Sequence, residues 1–172
     1  MTERATVVAI DMELIPTSRA QASILAWGVK PSFLRYVAGV GGVITIEDGA
    51  IELDGGFGFP LTGGREDGTV AARGTVRIRA HAGLLDVVLR DPGLQPLSGG
   101  EVLIASGADR TPRVLGVAST LNLALPETAP LFLHADAVPL FGDTYPAATE
   151  FDPVRFFLRR GRDGIASAPP QS

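Results

Sequence analysis

The sequence predicts a mostly-β domain, an antiparallel β-sandwich or open barrel carrying one or two short helices. Three observations predict it. Glycine (21) and proline (13) are spread through all 172 residues, separating short runs rich in valine, isoleucine, threonine and phenylalanine. Turn pairs such as Asp48-Gly49 and Ala82-Gly83 stand between such runs. Only the segment beginning at Pro31 has a convincing helix start.

Taken in order, Thr6–Ile15 reads as a first strand stopped by Pro16, and Thr17–Ala26 offers a helix entry through Thr17, Ser18 and Gln21. Pro31 opens a helix that ends near Gly39, where a left-handed cap suits glycine. Val43–Glu47 reads as a strand that turns at Asp48-Gly49 and returns through Ala50–Leu53. Phe57–Leu61 follows, then a polar loop, Thr62–Gly68. Thr69–His81 and Leu84–Arg90 form a long hairpin around Ala82-Gly83, and Glu101–Ala105, Arg113–Leu125 and Leu131–Val138 add further strands. Phe141–Leu158 is mixed. Residues 1–158 thus read as one domain and 159–172 as a flexible C-terminal tail.

Composition narrows the function. Hydrophobic residues make up 45% and charged residues 20%, which is ordinary globular chemistry. A formal net charge of −4 gives no nucleic-acid footprint. The chain has no cysteine, which excludes disulfides, thiolate-bound metals and covalent haem attachment. No apolar run reaches the roughly 18–20 residues of a membrane span. The N-terminus lacks the pattern of a secretory signal, so the expectation is a cytoplasmic protein or one trimmed from a longer precursor.

The hairpin register can be written down. A turn at Ala82-Gly83 pairs His81 with Leu84, Arg79 with Asp86, Arg77 with Val88 and Thr75 with Arg90. Strand alternation then groups Thr75, Arg77, Arg79 and His81 on one face and Val76, Ile78 and Ala80 on the other. His81 is therefore expected off the apolar face, as a site residue or as a plain surface histidine at a turn. His134, within Leu131-Phe132-Leu133-His134, reads as a satisfied core or edge histidine.

Ten residues carry most of the information: Trp27-Gly28-Val29-Lys30-Pro31-Ser32-Phe33-Leu34-Arg35-Tyr36. Ser32 and Tyr36 stand at i and i+4, so both leave one face of the short helix. Further on come Gly74-Thr75-Val76-Arg77-Ile78-Arg79-Ala80-His81-Ala82-Gly83-Leu84-Leu85-Asp86, then Asp91-Pro92, Leu140-Phe141-Gly142-x-x-Tyr145 and Phe151-Asp152-Pro153. These segments resemble the HtaA domain of actinobacterial haem-uptake proteins over about Ile24 to Pro153, with Ile78 where phenylalanine is usual and Ala80 where glycine is usual.

The resemblance implies a non-catalytic domain that binds haem b for uptake, transfer or storage, with haem and other haem-transfer proteins as partners. It implies Tyr36 as the axial ligand of ferric iron, His81 as its hydrogen-bond partner and Ser32 as a contact to a haem propionate. It also implies a secreted or cell-surface location as the alternative to the cytoplasm.

The chemistry agrees with this set. Haem iron is held by His, Met, Cys or Tyr, here His81, His134, Tyr36, Tyr145, Met12 and Met1. A free phenol, with a pKa of roughly 10, is a poor anion at neutral pH, but a cation beside the oxygen favours the phenolate. Tyr145 reads as a packing residue that could also line the pocket. Phe57, Phe59 and Phe141 suit either a macrocycle or the core.

Rival chemistries find little support. Ser32, His81 and Asp86 lack a G-x-S-x-G elbow. The two histidines are 53 positions apart without a metal-binding frame. The remaining alternative is a β-sandwich interaction module that has lost haem or takes another apolar ligand.

Overall fold

A computed structural model of the chain describes residues 12–64, 67–98, 100–118 and 128–161. The strands are β1 (Met12–Pro16), β2 (Ile24–Trp27), β3 (Val43–Glu47), β4 (Ile51–Leu53), β5 (Gly56–Gly64), β6 (Val70–Ala72), β7 (Thr75–Ala80), β8 (Leu85–Leu97), β9 (Gly100–Ser106), β10 (Pro112–Ala118), β11 (Thr128–Leu133) and β12 (Glu150–Gly161). One α-helix, α1 (Pro31–Gly39), stands between β2 and β3. Short 3-10 turns occupy Arg19–Gln21, His81–Gly83, Ala135–Ala137 and Pro139–Phe141.

Every pairing is antiparallel, and the order β8-β6-β5-β2-β12-β11-β10-β9 closes on itself where β9 meets β8. Of the two architectures expected from the sequence, the barrel is the one formed, with eight strands in its ring. β7 and β3 lie outside the ring as a two-stranded flap on the first half of β8. β1 extends β12 and β4 extends β5. The barrel interior is filled by alternate residues such as Leu25, Phe59, Leu94, Leu103, Leu131 and Phe156, all essentially buried. Near Phe156, Arg19 makes a bidentate pair with the buried Glu101 at 2.6 and 2.7 Å, tying the β1–β2 connection to β9. Among the described residues no helix is long and apolar enough to cross a membrane.

Ring and flap part at one point. Gly74 N–H donates to the Asp91 carboxylate at 3.0 Å, and Asp91 N–H donates to the Gly74 carbonyl at 2.8 Å. Both residues have positive φ, 125° and 48°. A Cβ on Gly74 would lie 2.7 Å from the Ala50 nitrogen, so glycine is required there. Thr69–His81 is consequently not one strand: β6 pairs with β5 and β8 in the ring, and β7 pairs with β3 and β8 in the flap.

Other expectations are corrected in the same way. Thr17–Ala26 is a 3-10 turn followed by β2, whose four residues are all buried, so a short apolar run gave no usable period. The Asp48-Gly49 turn forms, with φ of 58° and 96° and a bond from Ala50 N–H to Glu47 O, yet its strands diverge to different partners. α1 ends at Gly39, but the left-handed residue is Gly41, in a cap where Gly41 bonds Ala38 O and Gly42 bonds Val37 O. β10 ends at Ala118, with residues 119–125 of the expected strand outside the described ones. β11 stops at Leu133, where His134 begins the turns that follow. β12 runs to Gly161, three residues into the expected tail, and residues 162–172 lie outside the described ones. Residues 6–11 of the expected first strand do too.

The hairpin register is found as read for Thr75–Arg90, Arg77–Val88 and Arg79–Asp86, whereas His81 and Leu84 lie beyond the ladder, in a 3-10 turn closed by the bond from Leu84 N–H to His81 O. Asp86 takes a bidentate bond from the diagonal Arg77 at 2.8 and 2.6 Å, with Arg79 at 3.6 Å. The Arg77 hydrogen bonds hold the Asp86 carboxyl below its ordinary value of 3.8.

Two outcomes follow. Asp91→Ala removes a carboxylate acceptor from Gly74 and should cost roughly 1–3 kcal/mol in urea unfolding, whereas Asp91→Asn keeps an oxygen acceptor and should cost less. Asp86 is stabilising while ionised, so its contribution is full above the unfolded value and lost as pH falls through the lowered folded value. The melting-temperature gap between wild type and Asp86→Asn should therefore be constant from pH 7 to about 5 and close below about pH 4. A gap independent of pH would show that the ionic form contributes nothing.

Candidate functional site

α1 is placed by its apolar stripe. Phe33 and Val37 are buried and share one core cluster with Val76, Ile78 and Ala80 of β7, so the helix lies on the apolar face of the flap. Its last turn approaches β7 closely: a Cβ on Gly42 would sit 2.5 Å from the Val37 side chain and 2.8 Å from the Arg79 carbonyl. β3 then pairs Val43 with Arg79, which puts the end of the helix beside the end of β7.

His81 follows directly. Regular alternation would aim it with Arg77 and Arg79, away from α1. Instead His81, Ala82 and Gly83 have φ of 52°, 55° and 91°, so the chain leaves the strand after Ala80. The expected grouping of His81 with the arginines is therefore not found. The imidazole Nε2 is hydrogen-bonded to the Tyr36 hydroxyl, across 45 residues of sequence. Either direction of this bond is chemically available: a phenol donates to neutral Nε2, and a protonated Nε2 donates to a phenolate.

These two side chains stand at the edge of a cavity of about 550 Å³, within the usual range for a small-molecule site. Phe33 and Tyr36 line it from α1, and His81, Leu84 and Leu85 from the hairpin. Phe141, Gly142, Thr144 and Tyr145 line it from the loop before β12. No charged side chain is in this lining. Its floor is aromatic: Phe33 meets Phe141 edge-on at 5.3 Å, and Phe141 and Tyr145 meet Phe151 at 5.0 and 5.5 Å. Tyr36 is 47% exposed and Leu84 92%, so the cavity opens on their side.

Of the three site residues read from the sequence, Tyr36 and His81 are brought together at the cavity. Ser32 is half-buried one turn before Tyr36 and is not in the lining. Ile78 and Ala80, which stand where the family usually has phenylalanine and glycine, are core residues that do not line it. Tyr145 and Phe141 do line it, whereas Phe57 and Phe59 belong to the core. His134 caps the next turn, accepting from Asp136 N–H at 3.2 Å, as suits an edge histidine. Phe33, Leu84, Leu85 and Thr144 were missed by the sequence reading. Phe33, three residues before Tyr36, was the one findable by helical spacing.

A smaller cavity of about 210 Å³ lies near Trp27 and Asp152, whose carboxylate already accepts from Gly28 N–H at 3.1 Å. Among the described residues no group of three or more His, Asp or Glu could hold a bare metal ion.

The Htaa family model matches residues 22–157. The C-terminal domain of HtaA from Corynebacterium glutamicum has a similar structure, with a TM-score of 0.68 and 24% identity over 86% of this chain and 99% of that one. The N-terminal domain of the same protein gives 0.65 and 22%, over 80% of this chain and 97% of that one. The haem-binding protein HtaB of that organism gives 0.63 and 17%, over 81% and 93%. No curated protein matches. A family model matching most of its length, over the same fold as these solved domains, makes the chain a member of the HtaA family.

Proposed function

We propose that this domain binds haem b without catalysing a reaction on it, for uptake, transfer or storage, with Tyr36 as the ligand of ferric iron. The observation that carries this reading is the hydrogen bond between the Tyr36 hydroxyl and His81 at the mouth of an apolar, aromatic-floored cavity.

The residues fit the group. An apolar lining suits the faces of a macrocycle, and the one polar pair at its edge suits the metal. Phenolate oxygen is a hard anionic donor, matched to a ferric centre. His81 holds a proton on Nε2 and donates it to the phenolate, which steadies the anion and fixes the ring. The chain contains no cysteine, so attachment is non-covalent.

Ser32 is assigned to a propionate. The first-turn N–H groups of Phe33 and Leu34 already go to the Lys30 carbonyl at 3.0 and 3.1 Å. What this end of α1 offers an anion is therefore the Ser32 hydroxyl and its own N–H. A propionate held there lies outside the apolar lining, which spares it burial without a partner.

Titration with ferric haem tests the reading. Wild type should bind one equivalent with the charge-transfer bands of a tyrosinate-bound ferric centre, and Tyr36→Phe should lose those bands. An unchanged spectrum in Tyr36→Phe would remove Tyr36 as ligand. His81→Ala should keep the tyrosinate bands while haem passes to apomyoglobin roughly tenfold faster or more, as expected for a lost bond to a charged group. A change of ligand type in His81→Ala would instead make His81 the ligand.

A further inference from the structure

We infer that Lys30 is a positioning residue for this cavity, holding the Tyr145 wall in place from behind. Its ammonium donates to the Glu150 carbonyl at 3.0 Å and stands 5.6 Å from the Tyr145 ring centre and 5.7 Å from that of Phe151. A cation near the face of two rings at once is attracted by both quadrupoles. Those rings meet edge-on at 5.5 Å, and Tyr145 also meets Phe33 at 6.4 Å.

The placement matters because the cavity has two walls from distant parts of the chain. One wall is α1 with the β7–β8 hairpin, and the other is the loop from Phe141 to Tyr145. Lys30 is the residue immediately before α1, and its carbonyl starts that helix. Its amine is fixed to the start of β12 and to Tyr145. One residue thus couples the helix bearing Tyr36 to the opposite wall. The Lys30 side chain makes no hydrogen bond of its own to the helix end, so replacing it leaves the start of α1 intact. It is also the single lysine in a chain with fourteen arginines, so its signals can be read without interference.

The inference rests on the cavity being the haem site, and the test separates the two. In ligand-free protein, the ε-methylene protons of Lys30 should be shifted upfield by ring currents. Tyr145→Leu should reduce that shift, and Lys30→Met should move the Tyr145 ring resonances towards free-tyrosine values. With haem loaded, Lys30→Met should keep the tyrosinate spectrum and release haem to apomyoglobin about fivefold faster, within the range of a cation–π contact. Lys30→Arg retains a cation and should lie closer to wild type. In the Tyr145→Leu background, Lys30→Met should add nothing further.

Unmoved Tyr145 resonances in Lys30→Met would overturn the inference. So would haem release that is unchanged in Lys30→Met, equal in the Arg and Met variants, or fully additive with Tyr145→Leu. If wild type takes up no haem while the ligand-free shifts appear as described, the haem reading fails and the Lys30 contact stands.

Discussion

The reciprocal hydrogen bonds between Gly74 and Asp91 are the constraint on which the rest of the architecture depends. On the same side of β8, β6 belongs to the barrel ring and β7 to the flap, with only Arg73 and Gly74 between them. Without a break there, β7 would continue β6 around the barrel. The break costs two residues in left-handed conformations, one of them a non-glycine held by its own side-chain bond. In return the first half of β8 is left to carry the flap, and its second half bonds β9 to close the ring.

The flap places His81, and α1 places Tyr36; the meeting of the two is set by backbone rather than by their own bond. Gly41 and Gly42 reverse the chain within two residues, and β3 then locks to β7 in a register of five pairs. The contact must also hold His81 and Ala82 at positive φ, which costs of order 1–2 kcal/mol for each non-glycine residue. One hydrogen bond at a half-exposed tyrosine contributes about 1 kcal/mol, and the Arg77–Asp86 pair is screened by the solvent around it. Neither offsets the strain alone. Burial of Ile78, Ala80, Leu85 and Leu89 beneath the hairpin does, at roughly 1.5–3 kcal/mol for each large side chain.

This division explains what could be read in the sequence. The register of the hairpin was legible because Ala82-Gly83 fixes it locally, and the helix was legible because Pro31 opens it. The fork at Gly74 was not: a lone glycine within Thr69–His81 looks the same whether the strand continues or changes partners. β2 was hidden because four apolar residues buried on both faces have neither helical nor strand period. The orientation of His81 depended on a positive φ at a residue that rarely adopts one, which alternation cannot foresee. Tyr36 and His81 were legible through motif resemblance. The far wall of the cavity was legible only as a segment, because the chain from Phe141 to Tyr145 passes through Gly142 and Asp143 at φ of 69° and 56°, which no residue pattern foresees.

The position of the polar pair at the rim has a consequence for how the site can work. In a deep interior, a tyrosine–histidine pair would be favoured with its proton on one partner, because the low dielectric penalises the charged arrangement. Tyr36 is open to water over nearly half its surface, so water can share in stabilising either arrangement. The aromatic floor, by contrast, is closed and carries no charge in its lining. The apolar bed and the Tyr36 oxygen thus stand side by side, and neither has to be dismantled to form the other. Under the proposed haem reading, the Tyr36–His81 bond is one along which the proton can sit on either partner, so a phenolate with its donor can form there without breaking it. The backbone of α1 and of the hairpin sets that bond, so the oxygen and its partner are held together by the fold itself.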